Sequence, residues 1–274
     1  MCREFNGALG MTQHSLLRLI AIASLFVINT AVSQPLTFGF NDQWYPLSYR
    51  SETGAVAGVL PDLTRALFKE ARLAEPTLVG LSWNRVQLDV ERGRLDGFVS
   101  FPSVARKGYS QAVGPIFYPL RQKPIIYQSQ DTVLDAPFKL EDYNRPCALI
   151  GDGWSQQFYT ERNITPVFGR DSKACLRMVA GGRADLFLHP APIFKVLVNW
   201  LNLEDALVQL DDVAGEMPFY LLLNIRDRPD VLSASQQLGA ALLRLQNDGQ
   251  WQKMLTKSEQ RAIARCLKGG QTSC

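Results

Sequence analysis

The chain has 274 residues, 46% of them hydrophobic, with 29 basic and 26 acidic side chains and a net charge of +3. This composition excludes a disordered or collagen-like chain. Charges of both signs are scattered without a block of one sign, which excludes the basic footprint of a nucleic-acid or anionic-membrane binder; the length suits one large domain or two lobes.

The first thirty-odd residues stand apart. Arg18 precedes the apolar run LIAIASLFVI, Leu19 to Ile28, and Ala31-Val32-Ser33 places small residues where a signal peptidase reads them. Residues 1–33 are therefore expected to be a cleaved secretory signal, starting at Met1 or Met11, and the mature protein to be periplasmic or otherwise secreted. An apolar run of about ten residues is short against the roughly twenty of a membrane-spanning helix, so no stable membrane insertion is expected after cleavage. Cys2 precedes the apolar run, where a lipoprotein cysteine would follow it.

A chain starting near Gln34 keeps Cys147, Cys175, Cys266 and Cys274, an even number in an oxidising compartment, and the expectation is two disulfides. Three pairings are open. Closeness in sequence favours Cys147 with Cys175 and Cys266 with Cys274. With no C-x-x-C and a single histidine, His189, in the mature chain, neither a metal site nor a cofactor is expected.

Along the chain, a short strand at Leu36 to Phe40 leads into the aromatic loop NDQWYPLSYR. A helix follows with Pro61 at a first helical position and Leu60, Leu63, Leu67 and Ala71 on one face. A second helix starts near Ser82, carries Trp83, Val86 and Val90 on one side, and stops at Gly93 before the strand LDGFVSF. That order recurs: Asp171 or Ser172 caps a helix with Cys175, Leu176 and Val179 on one face, Gly181-Gly182 end it, and ADLFLH continues as a strand. GRLDGFVS and GRADLFLH share G-R-x-D and an apolar run, too far apart for a solenoid, and read as two similar α/β lobes. PIFYPLRQKPIIYQ, Pro115 to Gln128, and EMPFYLLLN, Glu216 to Asn224, are extended segments suited to cross between lobes. Leu238, Ala241, Leu242 and Leu245 then repeat at helical spacing, Asn247-Asp248-Gly249 break the pattern, and Trp251, Met254 and Leu255 begin another short helix.

The order of WYPLSY, G-x-L-P-D-L-T-R-A-L-F-K-E-A, W-N-R-V-Q-L-D-V-E-R-G-R-L-D-G, the Ser100 to Arg106 turn, PIFYPL, KLEDYNRPCALIGDGWSQQFY, CLRMVAGGRAD, EMPFYLLL and LLRLQNDGQWQKML resembles the extracytoplasmic (periplasmic) solute-binding proteins of family 3, which feed polar amino acids to ABC importers. The resemblance covers essentially the whole mature chain. It implies an α/β, two-lobed periplasmic-binding-protein-like (type II) fold whose two α/β lobes are joined by two crossing strands. Lobe 1 would be discontinuous, 34–121 plus 217–274, lobe 2 would be 122–216, and hinge closure would enclose a small-molecule ligand. An ABC permease as membrane partner and a monomeric state are what it implies further.

By the same resemblance Arg106 stands where the family's T-x-x-R arginine grips a ligand carboxylate, with Ser103 in place of Thr; a guanidinium fork matches that geometry with two parallel hydrogen bonds. Ser100 and Ser103 are expected to add hydroxyls. Trp44 matches the aromatic that walls the ligand, and GDGWSQQFY the strand-to-helix turn that faces it, making Ser155 a polar contact and Trp154 a second wall. One departure stands out: where relatives that bind α-amino acids carry an acidic residue for the ligand ammonium, this chain has His189-Pro190. His189 is kept as a candidate contact, and the recognition of an α-amino group stays open.

The same clamp fold hosts dehydratase activity, so a periplasmic enzyme is the alternative, as is a module presenting ligand to a sensory receptor. Catalysis needs a positioned acid or base with an orienting partner, and no such constellation shows; G-x-S-x-G, H-E-x-x-H and a P-loop are also missing from the sequence. No catalytic residue is assigned, and binding without chemistry is the reading.

Overall fold

A computed structural model describes residues 35–129, 137–226 and 228–274 of the protein. The expected signal segment, 1–33, lies outside the described residues.

The first half is built on β1 (Thr37–Asn41), a central strand that pairs in parallel with β5 (Thr77–Leu81) on one side and β6 (Gly97–Ser100) on the other. Flanked on both edges, β1 buries Phe38, Gly39 and Phe40 in sequence, the continuous apolar run of a strand covered on both faces. A small antiparallel sheet of β2 (Gln43–Trp44), β3 (Ser48–Arg50) and β4 (Val56–Ala57) is inserted after it. Helix α1 (Val59–Glu70) buries Leu60, Leu63, Leu67 and Phe68. Its N-cap is Gly58 at φ 117°, where a Cβ would come within 2.7 Å of the Pro46 and Leu47 carbonyl oxygens, so the helix starts two residues ahead of Pro61. Helix α2 (Trp83–Glu91) follows Ser82 and buries Val86 and Val90; Gly93 at φ 69° then turns the chain into β6.

After a single helical turn, α3 (Val104–Lys107), the chain enters β7 (Gln111–Tyr127), a strand of 17 residues. At about 3.3 Å per residue such a strand is long enough to pair with β12 along one part and with β10 along another. The second half repeats the pattern with β8 (Pro146–Leu149) at its centre, α4 (Gly153–Thr160), β9 (Val167–Gly169), α5 (Ser172–Ala180), β10 (Leu186–His189) and α6 (Ala191–Trp200). After β11 (Leu207–Gln209), β12 (Gly215–Leu223) runs back antiparallel to β7. The sheet order is β5-β1-β6-β12-β7-β10-β8-β9, with β11 pairing on β7.

Two helices finish the chain. α7 (Pro229–Asn247) buries Leu238, Ala241, Leu242 and Leu245, as the spacing predicts. α8 (Gln250–Ser273) is far longer than the short helix expected from Trp251, Met254 and Leu255, with one non-helical residue, Gly270 at φ 66°. Charged residues interrupt its later turns, and among the described residues there burial falls on Ser258, Ala262 and Cys266, a single polar-and-small stripe too weak to mark a helix in sequence. At its start Trp251 packs edge-on against Phe117, centroids 5.1 Å apart, and donates Nε1 to the Phe117 carbonyl at 2.9 Å. Truncating a buried aromatic of this kind costs about 3–5 kcal/mol. The structure joins Cys147 to Cys175 and Cys266 to Cys274, with Cα separations of 5.7 and 4.1 Å.

Candidate ligand-binding cleft

Strand register locates the cleft. β6 ends at Ser100 opposite Tyr220 of β12, and β10 ends at His189 opposite Lys123 of β7. Because β6 is antiparallel to β12, β12 to β7 and β7 to β10, the carboxyl ends of β6 and β10 point toward each other along the crossing strands. Between them, residues 215–219 of β12 and 118–122 of β7 pair only with each other among the described residues. That unflanked stretch is a gap bounded by two sets of strand carboxyl ends, the position where open α/β sheets receive ligands.

Arg106 hangs from the β6 side. Ser103 caps α3, its hydroxyl accepting the Arg106 N–H at 3.5 Å. The guanidinium is held by neutral partners: Nε donates to Gln87 Oε1 at 3.1 Å, one Nη to the Phe101 carbonyl at 2.7 Å, and the Trp83 ring lies 5.2 Å away. Trp83 and Gln87 sit one turn apart on α2, so one helix face presents both. Burial lowers the Arg106 pKa, while Tyr109 and Asp152 act to raise it. Among the described residues no carboxylate forms a salt bridge with it. A half-buried cation fixed by neutral groups is unfavourable alone and favours an incoming anion.

Across the gap stands α4. Asp152 caps it, accepting the Trp154 and Ser155 N–H groups at 3.3 Å each. The helix N-terminus expected to face an anion therefore already carries a carboxylate, and that carboxylate is the one whose field reaches Arg106. Ser155 is buried and donates its hydroxyl to the Asp152 carbonyl at 3.2 Å, a capping role inside the turn. Trp154 stacks on Phe158 with centroids 4.9 Å apart and donates Nε1 to the Glu216 carbonyl at 3.1 Å, on the unflanked stretch of β12. Gly215 makes room for it, since a Cβ there would meet the Trp154 ring at 2.5 Å. Trp44 reaches the same stretch from β2, its ring 5.6 Å from that of Phe219. Trp44 and Trp154 thus approach the crossing strands from opposite halves.

Ser100 and His189 are both buried at their strand ends. The His189 ring stacks on Phe187, 4.5 Å between centroids, and among the described residues its Nε2 has no hydrogen-bond partner. Burial lowers its pKa to about 3, so the imidazole is neutral at ordinary pH. The structure brings together Arg106, Ser103, Trp154, Ser155 and Trp44 around the gap and adds Trp83, Gln87, Tyr109 and Asp152, which sequence reading missed. The helical spacing of Trp83 and Gln87 was the available signal, but nothing local ties α2 to Arg106, 19 residues beyond Gln87.

A separate concavity of about 380 Å³, lined by Tyr127, Tyr143, Arg145 and Asp185 among others, lies at the amino end of β10, away from these residues. Its Asp185 carboxylate is already taken by the Asn144 and Arg145 N–H groups at 2.9–3.0 Å. Among the described residues no three His, Cys, Asp or Glu side chains gather as a metal site, and no helix is long and apolar enough to cross a membrane.

Comparison with known proteins fits this geometry. The profile of the bacterial extracellular solute-binding proteins, family 3, matches residues 36–258. A search of curated protein sequences returned no match. Among solved structures, a probable amino-acid ABC transporter extracellular-binding protein from Bacillus subtilis is 17% identical, with 82% of this chain and 97% of that one covered at a TM-score of 0.64. A histidine kinase sensor domain with similarity to periplasmic binding proteins is also 17% identical, covering 82% and 96% at 0.62. An ancestral amino-acid-binding protein, described as a precursor of cyclohexadienyl dehydratase, is 18% identical, covering 82% and 94% at 0.61. At these identities the structures show the fold, a periplasmic-binding-protein-like type II α/β arrangement.

Proposed function

The chain belongs to the bacterial extracellular solute-binding proteins, family 3, and on that basis we propose that it captures a small polar solute in the gap between β6 and β10. Arg106 is the anchor for the solute's anionic end. The observation that carries this reading is the half-buried guanidinium oriented by Gln87 and Phe101 with no carboxylate bridged to it among the described residues. Trp44 and Trp154 wall the solute, and Ser100 lies at the floor. Ser103 and Ser155 act by shaping the turns that hold Arg106 and Asp152. Asp152, facing Arg106, is the carboxylate offered to a cationic or donor group of the solute, in the role that His189-Pro190 leave unfilled at the end of β10.

In this reading the halves are lobes, 34–121 plus 217–274 and 122–216, that close on the solute about β7 and β12. The protein is exported by a signal cleaved near Ser33, works outside the cytoplasm with both cysteine pairs oxidised, delivers solute to an ABC permease, and performs no chemistry itself. Likeness to a histidine kinase sensor domain favours a second reading, in which the closed complex is presented to a receptor.

The test is a thermal-shift screen of the chain from Gln34 onward against amino acids, carboxylates, amines and dipeptides. A true ligand at 100-fold over its Kd stabilises by roughly 2.7 kcal/mol. Stabilisation by carboxylate-bearing solutes, lost in their amides, is the expected outcome. A panel in which only solutes lacking a carboxylate bind would overturn the role of Arg106, and turnover of a bound solute, followed by NMR, would replace binding with catalysis.

A further inference from the structure

The family match ends at residue 258, yet α8 continues to Ser273. The residues beyond the match do not trail into solvent. Glu259 accepts a hydrogen bond from the Tyr118 hydroxyl on β7, and the charge of Lys195 on α6 acts on it. Arg265 donates to the Tyr49 hydroxyl on β3 at 3.4 Å. The Cys266 carbonyl accepts the Trp200 Nε1–H at 3.1 Å, at the end of α6. Tyr49, Val196, Cys266 and Cys274 form one buried cluster, with Tyr45, Ile263 and Trp200 packed against it. Tyr45 stacks on Tyr49 at 5.1 Å and meets Trp200 edge-on at 5.0 Å.

Tyr45 and Tyr49 belong to the half built on β1, Val196 and Trp200 to the half built on β8, and the chain's end fills the space between them. The two halves are thus joined at a second place, apart from β7 and β12. Gly270, at φ 66°, turns the chain back so that Cys274 reaches Cys266. The bond closes a short loop, which fixes the end of α8 more firmly than one buried turn of helix does alone.

We propose that residues 259–274 are a strap across the two halves, whose end is held against Tyr49 and Trp200 by the Cys266–Cys274 bond, and which limits how far the halves move relative to each other. A rotation of one half must slide the Trp200 indole off the Cys266 carbonyl and off Tyr45, breaking a buried hydrogen bond and an aromatic contact together. The proposal needs no solute and so stands apart from the proposed capture function.

The test is a distance measurement by double electron–electron resonance on the oxidised, solute-free protein from Gln34 onward, with spin labels at Glu70→Cys on α1 and Thr160→Cys on α4. Both positions are exposed and lie in different halves. The wild-type background should give a narrow distribution. C266S/C274S, and separately Trp200→Ala, should broaden it or add a second population. The control is C147S/C175S, which removes the bond lying within one half. Broadening in the strap variants with the control unchanged supports the proposal. The same distribution in every background, or equal broadening in the control, overturns it; far-UV circular dichroism, which reports α8 with the rest, confirms that each variant is folded.

Discussion

The two halves repeat one another down to single hydrogen bonds and then differ at the points where they face the gap. Gly93 and Gly182 turn out of their helices at φ 69° and 68°. The next two N–H groups, Arg94 and Leu95 in one half and Arg183 and Ala184 in the other, donate to the carbonyls of Asp89 and Met178 respectively. Asp96 then ties the start of β6 to Thr37, whose N–H meets its carboxylate at 2.7 Å, and Asp185 ties the start of β10 to Arg145 in the same way at 2.9 Å. The G-R-x-D similarity is therefore a structural unit, a helix stop followed by an aspartate that sets strand register.

The differences are as regular. Gly39 on β1 lies against Val86 on α2, where an added Cβ would sit 2.8 Å from a valine methyl. The matching positions on β8 and α5 are Cys147 and Cys175. Close backbone approach is met by a missing side chain in one half and by a covalent link in the other. At the strand ends, Ser100 stands where His189 stands, and the chain after β6 makes a single turn that delivers Arg106, while the chain after β10 goes straight into the ten-residue α6. The charged side chain proposed as anchor is on one side only.

Phe98→Ala and Phe187→Ala probe the shared part most strongly. Both rings are fully buried at matching positions, and each truncation should cost about 3–5 kcal/mol in urea unfolding. A loss under about 1 kcal/mol in one of them would break the equivalence of the two cores. Removing the bond with C147S/C175S in the oxidised protein should cost about 2–4 kcal/mol. Gly39→Ala, its counterpart, should cost about 1–3 kcal/mol through overpacking against Val86; the two losses come from opposite causes, and only the first should vanish when wild type and variant are compared in reductant.

pH separates the strand ends. The His189 pKa falls from about 6.5 unfolded to about 3 folded, by desolvation with no charged group contributing. Its contribution is fully present above the unfolded pKa and is lost as pH falls from about 6.5 toward 3, at about 1.4 kcal/mol per pH unit. His189→Gln should flatten the stability profile in that window, whereas Ser100→Ala should leave its slope unchanged. An unaltered slope in His189→Gln would show that the imidazole is solvated. The smallest effects belong to the two helix stops: Gly93→Ala and Gly182→Ala should each cost about 1 kcal/mol, in equal measure, since both force a Cβ into left-handed backbone with open space around it.

Much of this was legible in the sequence because it is local. Helix faces, glycine stops and the G-R-x-D repeat are set by residues within a few positions of each other, and the extended, proline-punctuated segments read as the crossing strands β7 and β12. Arg106 is proposed as a site residue through resemblance, because a basic residue beside Lys107 in a loop carries no signal of its own. What escaped depends on packing between distant elements. Nothing in the sequence says that the Ser155 hydroxyl also bonds the Asp152 carbonyl in its own turn, and Gln87 looks like a surface residue until α3 brings Arg106 onto it. The strap escaped for the same reason, since nothing near Cys266 says that Trp200 will pack against it.

The proposed one-sided anchor is probed by calorimetric titration of the carboxylate solute that gives the largest shift in the thermal screen, into wild type and Arg106→Gln. Circular dichroism should show both folded, because Gln keeps an amide donor near Gln87 and Phe101. Binding should be weaker by about 2 kcal/mol or more, roughly thirtyfold, in the variant. Affinity within roughly threefold of wild type, a difference under about 0.7 kcal/mol, would contradict it.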